Sequence, residues 1–161
     1  MKNKMTEKLF ELAYTDSMTE VQNRNAYEEC LKKLRKPNAN ISRITVIVVD
    51  VNGLKEINDS YGHFCGDDAI KTVAKALRDT IGLKADIFRI GGDEFVCISE
   101  SSVLPYISQF KDTIYFINNE KLYNLSVSIG YSRFHEKYSK SIDDIICRAD
   151  EKMYMDKKSK K

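Results

Sequence analysis

The stretch "ADIFRIGGDEFVCIS", residues 85–99, decides the fold of this chain. Two short runs of β-forming residues flank a pair of glycines, which is typical of a β-hairpin because glycine readily adopts turn conformations. A hairpin pairs its strands antiparallel, so an all-parallel, doubly wound sheet is excluded. Turn formation does not explain why the tip also carries two acids, Asp93 and Glu94. Two carboxylates at so tight a turn are a candidate metal site.

The segment "ITVIVVD", residues 44–50, predicts a central strand. Its residues are apolar without alternation and mostly β-branched, as in strands that are covered on both faces. The strand ends in Asp50, and functional sites are commonly built where the strands of such layers end. A turn or a helix cap is the alternative role for Asp50.

The segment that follows Asp50 favours the functional role. In "VNGLK", residues 51–55, backbone N–H groups could surround a phosphate, and Lys55 adds a positive charge. We expect the hairpin that carries Asp93 to lie beside the strand that ends in Asp50. Two carboxylates on neighbouring strands could hold a hard cation such as Mg²⁺ through oxygen ligands.

Apolar periodicity predicts helices in much of the remaining chain. A short amphipathic helix covers residues 1–14, and a second begins near Asn25, with Glu28 three residues later as a capping box. Three further helices are predicted: one that carries Ile70 and Leu77, one over about 102–116, and one that is capped by Ser141 with Asp144.

The order of these elements predicts the fold class. The segment "LSVSIGY", residues 125–131, alternates apolar and polar residues, which indicates a strand with one solvent-facing side. Together with the hairpin, this predicts an α+β fold, an α/β sandwich of the ferredoxin-like kind with a central, mainly antiparallel sheet flanked by helices. A length of 161 residues fits a single domain, 1–161.

Composition excludes several classes of protein. The formal net charge of +2 is too small to indicate binding to nucleic acid or to an acidic membrane surface. No apolar run reaches the roughly 20 residues of a membrane-spanning helix, and the polar start is not a signal peptide. The four cysteines form no CxxC pair, so a zinc site is not expected. Free thiols fit a reducing compartment, and we expect the protein to be cytoplasmic.

Five separated motifs carry a resemblance to a known family. They are "DSMTEVQNR" (16–24), "DVNGLKEINDSYGHFCGDD" (50–68), "RIGGDEF" (89–95), "SVSIGY" (126–131) and "RADEKMYMDKK" (148–158). In this order they closely resemble the GGDEF family of diguanylate cyclases, over about residues 10–160. The resemblance implies the nucleotidyl-cyclase form of the ferredoxin-like fold.

The resemblance also implies a reaction. Members of the family condense two GTP molecules into cyclic di-GMP and release pyrophosphate, with Mg²⁺ or alternatively Mn²⁺ as the cofactor. The reaction takes place between two facing domains, so we expect a homodimer. The alternative is a catalytically weak or inactive GTP-binding regulatory domain. A further implication is that helix 1–14 is a linker from an upstream sensor domain.

Residue by residue, the resemblance assigns the metal ligands and the catalytic acid. Asp50 and Asp93 match metal ligands, and the backbone carbonyl of Val51 matches a third. Glu94 matches the acid near the reacting 3′-hydroxyl, where it binds a second metal or assists deprotonation. Asn52 stands where many members have another acid.

The substrate contacts are assigned in the same way. Gly91 and Gly92 leave room for the α-phosphate, because a Cβ would occupy that space. Asn58 and Asp67 match the positions that recognise guanine. A carboxylate accepts hydrogen bonds from the guanine N1–H and amino group, which adenine does not offer together, so Asp67 favours GTP over ATP.

Three lysines match phosphate-binding positions. Lys55 and Lys157 match lysines of the family, whereas Lys161 stands in for an arginine. Lysine supplies a point charge without the bidentate fork of arginine, so we expect a weaker grip on the triphosphate.

Four positions outside the reaction are also interpreted. Asp16 with Arg24 resembles a salt bridge of the family near the domain entrance, and Arg89 is expected to pack or pair near the hairpin. The R-x-x-D site at which many members bind product is replaced by Gly82 and Ala85. We therefore predict no product inhibition through that site.

Overall fold

The computed structural model describes the backbone of residues 2–160 and the side chains of residues 6–160. The elements are α1 (Lys2–Tyr14), α2 (Arg24–Leu34), β1 (Thr45–Val51), α3 (Leu54–Tyr61), α4 (His63–Asp79), β2 (Asp86–Arg89), β3 (Glu94–Ser99), α5 (Leu104–Asn118), β4 (Val127–Arg133) and α6 (Ile142–Ser159), with a single 3₁₀ turn at Ile81–Leu83.

The four strands form one sheet in the order β2-β3-β1-β4. Each neighbouring pair is antiparallel, which confirms the predicted sheet and the hairpin formed by β2 and β3. In the register of β1 with β3, Asp50 lies opposite Glu94. The corner of the sheet at the end of β1 therefore brings together the two acidic segments that the sequence separates.

Helices cover both faces of the sheet, as predicted. The apolar side chains of β1 alternate between the faces: Ile47 and Val49 pack with residues of α4 and α5, and Val46 and Val48 pack with residues of α2 and α6. All seven residues of β1 are buried, so the prediction of a strand covered on both faces is confirmed. Asp50 has the same parity as Val46 and Val48 and therefore lies on the α6 face.

The prediction of a solvent-facing side on β4 is wrong. Ser128 and Ser132 are buried, because α6 packs directly across this strand. Gly130 permits that approach: a Cβ there would lie 2.1 Å from the carbonyl oxygen of Ala149 and from the amide nitrogen of Met153 in α6. Small side chains on β4 are thus required by helix packing.

One helix prediction also needs correction. The cap of α2 is Asn23, whose side chain accepts a hydrogen bond from the amide of Ala26, and not Asn25. The glycine-rich segment after β1 is mostly helical, as α3 and the start of α4. The helices are separated at Gly62, where φ is 87°, a value that glycine adopts readily. The predicted capping box of Ser141 with Asp144 is confirmed at the start of α6.

The first helix exposes its apolar side chains. Leu9, Phe10 and Leu12 are 61%, 66% and 70% exposed. The segment is helical, as predicted, but these side chains lie at the surface rather than in the core. None of the helices described is long and apolar enough to cross a bilayer.

Candidate active site

Three acids meet at the corner of the sheet where β1 ends. Asp50 and Glu94 are register partners on adjacent strands. Asp93 is held beside them by its backbone, since its carbonyl oxygen accepts a 2.9 Å hydrogen bond from the amide of Val51. The backbone ladder between β1 and β3 thus fixes the relative positions of the three carboxylates.

The glycine turn of the hairpin is held from both sides. The amide of Ile90 donates to the carbonyl oxygen of Glu94 at 3.0 Å, which closes the turn. Arg89 donates from Nη2 to the carbonyl oxygen of Gly92 at 2.8 Å. A Cβ on Gly91 would lie 3.0 Å from Oε2 of Glu94, whereas a Cβ on Gly92 would meet nothing within 4 Å. A side chain at position 91 would therefore crowd Glu94, whereas a side chain at position 92 would occupy open space.

The predicted pairing of Asp16 with Arg24 is wrong. Asp16 pairs instead with Arg89, at 3.0 Å from Nη1, and also accepts hydrogen bonds from the amide and hydroxyl of Thr19. Arg24 donates to the carbonyl oxygen of Ile90 at 3.3 Å. The turn after α1 is therefore tied to the hairpin through Arg89, which confirms that Arg89 pairs near the hairpin.

Lys157 of α6 lies over Asp50. Its Nζ is 2.7 Å from Oδ1 of Asp50, and the Asp50 side chain is only 6% exposed. Lys157 follows the buried residues Ala149 and Met153 at helical spacing along α6. The packing of this side of the helix on the sheet therefore directs Lys157 toward the face of the sheet on which Asp50 lies. The sequence assigned Lys157 to phosphate, and the structure pairs it with a predicted metal ligand.

Negative charge accumulates at this corner. Burial raises the pKa of Asp50, and the charge of Asp93 adds to the effect, against the hydrogen bond from Lys157. Burial also raises the pKa of Glu94, with further contributions from Asp93, Asp50 and then Asp150. The hydrogen bond to Asp50 raises the pKa of Lys157, so its ammonium form is favoured. The corner therefore favours a bound cation.

A cleft of about 590 Å³ opens beside the acids. It is walled by the end of β1, by α3, by the loop before β4 and by the end of α6. Its lining residues are Val51, Asn52, Gly53, Leu54, Lys55, Glu56, Ile57, Ser60, Tyr61, Asp93, Asn124, Ser126, Lys157 and Lys160. The cleft thus brings predicted metal and phosphate residues, Val51, Asp93, Lys55 and Lys157, to one cavity.

The guanine-binding candidates lie next to each other but outside this lining. Asn58 is on α3 and Asp67 is on α4, and the two helices pack together. A Cβ on Gly66 would lie 1.9 Å from Oδ1 of Asn58, so the Asn58 amide rests directly on the backbone beside Asp67. Both side chains are partly exposed. The α3–α4 junction therefore gathers the two polar groups that the sequence assigned to the base.

Asn52 is turned away from the acids. Its Nδ2 donates to the hydroxyl of Ser126 at 2.8 Å, and its Oδ1 accepts a hydrogen bond from Ser128 at 2.7 Å. Its amide also donates to the carbonyl oxygen of Ser126 at 2.9 Å. The residue that replaces an acid of the family thus fastens β1 to β4.

Sequence reasoning missed several residues of the cleft. Tyr61 falls inside a recognised motif but received no role, and Asn124 lies in a loop that no motif covers. Lys160 lines the cleft, with its Nζ 2.7 Å from Asp156 and 2.7 Å from the carbonyl oxygen of Val127. The predicted phosphate residue Lys161 lies outside the described residues. Charge and position along α6 were the available signals for Lys160.

The residues at the corner have the donor chemistry that Mg²⁺ requires. Carboxylate oxygens are its preferred protein ligands, and burial together with the charge of neighbouring carboxylates raises the pKa values of Asp50 and Glu94. Within residues 6–160, however, no three acidic, histidine or cysteine side chains are already arranged around one metal position. The donor set fits a divalent cation, and Lys157 holds one of the donors.

Comparison with known proteins identifies the family of this chain. Residues 13–161 match the family described as "Diguanylate cyclase, GGDEF domain". The chain is 31% identical over 153 residues to the probable diguanylate cyclase DgcI of Escherichia coli K12, covering 94% of this chain and 33% of that protein. It is 31% identical over 155 residues to the diguanylate cyclase DosC of the same organism, covering 89% and 33%. The chain thus spans about a third of these relatives.

Solved structures agree on the fold. The diguanylate cyclase SiaD of Pseudomonas aeruginosa, solved with its activator SiaC, aligns with a TM-score of 0.80 at 21% identity, covering 99% of this chain and 64% of that one. The coiled coil and GGDEF domain of DgcB from Caulobacter crescentus, solved with c-di-GMP, aligns with a TM-score of 0.80 at 22% identity, covering 98% and 87%.

Proposed function

We propose that this chain, which belongs to the GGDEF domain family, is a diguanylate cyclase that condenses two GTP molecules into cyclic di-GMP and two pyrophosphates. The observation that carries the proposal is the meeting of Asp50, Asp93 and Glu94 at one corner of the sheet, beside a cleft lined by lysines. A structural role for these acids would not explain their mutual repulsion, because like charges on opposed strand positions destabilise a sheet.

Asp50, Asp93 and the Val51 carbonyl would hold Mg²⁺, or Mn²⁺ in its place. When bound, the metal would neutralise triphosphate charge and make the attacking 3′-hydroxyl more acidic. Lys55 and Lys157 would contact the triphosphate from two sides of the cleft. The open space at Gly92 leaves room for a phosphate to approach the turn.

Glu94 would accept the proton of the 3′-hydroxyl. Its raised pKa suits a general base better than that of an ordinary surface glutamate, because it lies closer to the working pH. The 3′-oxygen then forms a bond to the α-phosphorus of the second GTP, and the bond from that phosphorus to the pyrophosphate oxygen breaks. Repeating the step with the roles exchanged closes the ring.

Asn58 and Asp67 would select guanine. The Asn58 amide is positioned by its contact with Gly66, and Asp67 is the next residue along α4. A buried or partly buried carboxylate left unpaired by adenine would discriminate against ATP.

The reaction requires two facing copies of the chain, since each domain would supply one GTP. We propose a homodimer as the catalytic form, with residues 1–14 as a linker rather than a part of the cyclase domain. The family match begins at residue 13, and the exposed Leu9 and Leu12 support this division.

The direct test is incubation with Mg²⁺ and either GTP or ATP, followed by chromatography of the products. We expect cyclic di-GMP from GTP, with a specific rate that rises with protein concentration, and no cyclic product from ATP. Binding of GTP without product at high protein concentration would favour the alternative, a regulatory GTP-binding domain.

A further inference from the structure

We propose that Lys157 withholds Asp50 from the metal until a triphosphate arrives, so that metal and nucleotide bind in a coupled manner. The inference deepens the proposed function and rests on it for the identity of the nucleotide. It assigns Lys157 a role in the ligand-free protein as well as a contact with phosphate.

The first observation is that Lys157 stands between Asp50 and the cleft. The Asp50 side chain is 6% exposed, and Lys157, which is 34% exposed, lies 2.7 Å from its Oδ1. Asp93 and Lys157 are among the described residues that line the cleft, whereas Asp50 is not. A cation that enters the cleft therefore reaches Asp93 directly but meets Lys157 before Asp50.

A metal ion and the Lys157 ammonium would compete for the same oxygen, Oδ1 of Asp50. Mg²⁺ binds carboxylate oxygens at roughly 2.0–2.1 Å, so a cation on Oδ1 would lie within a few ångströms of an ammonium that stayed in place. Two positive charges that close repel each other strongly in a partly buried site. Metal binding at Oδ1 of Asp50 thus requires Lys157 to leave that oxygen, and Lys157 needs another anion once it has left.

A triphosphate supplies that anion. The phosphate groups would bring negative charge into the cleft that Lys157 lines, so the nucleotide offers Lys157 a replacement for Asp50. Without a nucleotide, the other anions near the displaced ammonium are Asp93 and Glu94, which belong to the same acidic corner as the metal. Coupling between two ligands is reciprocal, so the metal should also tighten binding of the nucleotide.

Lys160 provides a matched control. It caps the end of the same helix, carries the same charge and lines the same cleft, but its Nζ pairs with Asp156 and the Val127 carbonyl. Replacing Lys160 changes the charge of the cleft without releasing Asp50. A specific effect of Lys157 is therefore separable from a general electrostatic one.

The experiment titrates the wild type, Lys157→Met, Lys157→Gln and Lys160→Met with Mn²⁺ alone, reading free Mn²⁺ by electron paramagnetic resonance. We expect both Lys157 variants to bind Mn²⁺ about tenfold more tightly than the wild type, within the usual range for coupled sites, and Lys160→Met to bind within about twofold. Unchanged or weaker binding in the Lys157 variants, or equal tightening in Lys160→Met, would overturn the proposal.

A second measurement uses the unmutated chain, so it does not depend on how the variants fold. The side-chain NMR signal of Lys157, assigned by its loss in Lys157→Gln, should stay in place on addition of Mg²⁺ alone. It should shift when Mg²⁺ is added with a GTP analogue that has a methylene between the α- and β-phosphorus. A full shift with Mg²⁺ alone contradicts the inference.

The two proposals fail separately. Cyclic di-GMP from the wild type with unchanged Mn²⁺ affinity in the Lys157 variants would remove this inference and leave the cyclase function. Tighter Mn²⁺ binding in those variants with no product from the wild type would do the opposite.

Discussion

Replacing Glu94 with Gln should stabilise the fold while it abolishes turnover. Glu94 lies directly opposite Asp50 across the β1–β3 pair, and Asp93 precedes it in the chain. Burial and these two charges raise the pKa of Glu94, so the folded state resists its ionisation. Glutamine keeps the size and polarity of the side chain and removes the charge.

The expected gain in stability follows from the register of β1 with β3, which places Glu94 opposite Asp50. Like charges directly opposite each other on antiparallel strands cost roughly 0.2–1 kcal/mol, and a domain of this size changes its melting temperature by about 2–4 °C per kcal/mol. We therefore expect Glu94→Gln to melt about 0.4–4 °C higher than the wild type at pH 7. Loss of a general base should lower the rate of product formation by about 100-fold or more.

The effect on stability should depend on pH with a defined sign. A carboxyl group whose pKa is raised on folding stabilises the fold below its unfolded pKa, and this stability is lost as the pH rises through the raised value. The advantage of Glu94→Gln should therefore be present at neutral pH and disappear below about pH 4, the ordinary range of glutamate. Thermal denaturation followed by circular dichroism at both pH values measures it.

Glu100→Gln is the matched control, because Glu100 is exposed and follows β3 at its other end. Its melting temperature should equal that of the wild type. A lower melting temperature for Glu94→Gln at pH 7 would refute the reasoning about repulsion. Product formation at the wild-type rate would refute the catalytic role.

Three further substitutions test the packing and the contacts of the site. Gly130→Ala places a methyl group 2.1 Å from backbone atoms of α6, which cannot yield without moving the helix. The substitution should lower the free energy of unfolding by about 1–3 kcal/mol or more. An unchanged midpoint of urea denaturation would contradict this. Gly66→Ala should push the Asn58 amide aside, since the new Cβ would lie 1.9 Å from its Oδ1. The KM for GTP should therefore rise with little change in melting temperature. An unchanged KM argues against the guanine assignment. Asp16→Asn should lower stability by about 1–3 kcal/mol in urea at neutral pH, because Arg89 is only 13% exposed and loses its charged partner. Burial opposes ionisation of Asp16, but hydrogen bonds from Thr19 and Arg89 lower its pKa overall, so the difference between wild type and Asp16→Asn should shrink as the pH falls through that lowered value. A difference that is independent of pH would exclude the ion pair as its source.

Local patterns predicted the elements whose causes are local. The hairpin follows from Gly91 and Gly92 between β-forming residues, the burial of β1 follows from its unbroken β-branched run, and the cap of α6 follows from Ser141 with Asp144. In each case the residues that determine the structure are neighbours in the sequence, so spacing and propensity are sufficient.

Contacts between distant segments could not be predicted in this way. Asp16 and Arg89 are separated by 73 positions, and Asp50 and Lys157 by 107. No periodicity joins such pairs, and only the assembled sheet and helices bring them together. The burial of β4 escaped prediction for the same reason, because the alternation of Ser128 with apolar residues does not reveal that α6 covers the polar side.

The segment after β1 shows a different limit. Glycine, asparagine and aspartate in residues 51–68 indicate turns by their propensity, yet the chain forms α3 and the start of α4 there. The burial of Ile57 and the packing of α3 against α4 outweigh the weak local preference of these residues for turns. Sequence motifs in this segment predicted candidate site residues, whereas its secondary structure depends on packing that those motifs do not reveal.

The most direct test of the central claim is a ³¹P NMR time course of the wild-type chain with GTP and Mg²⁺. We expect the triphosphate signals to decay while one phosphodiester product signal and pyrophosphate grow, with two pyrophosphates for each cyclic di-GMP. Unconsumed GTP at high protein concentration, or release of inorganic phosphate in place of pyrophosphate, would contradict it.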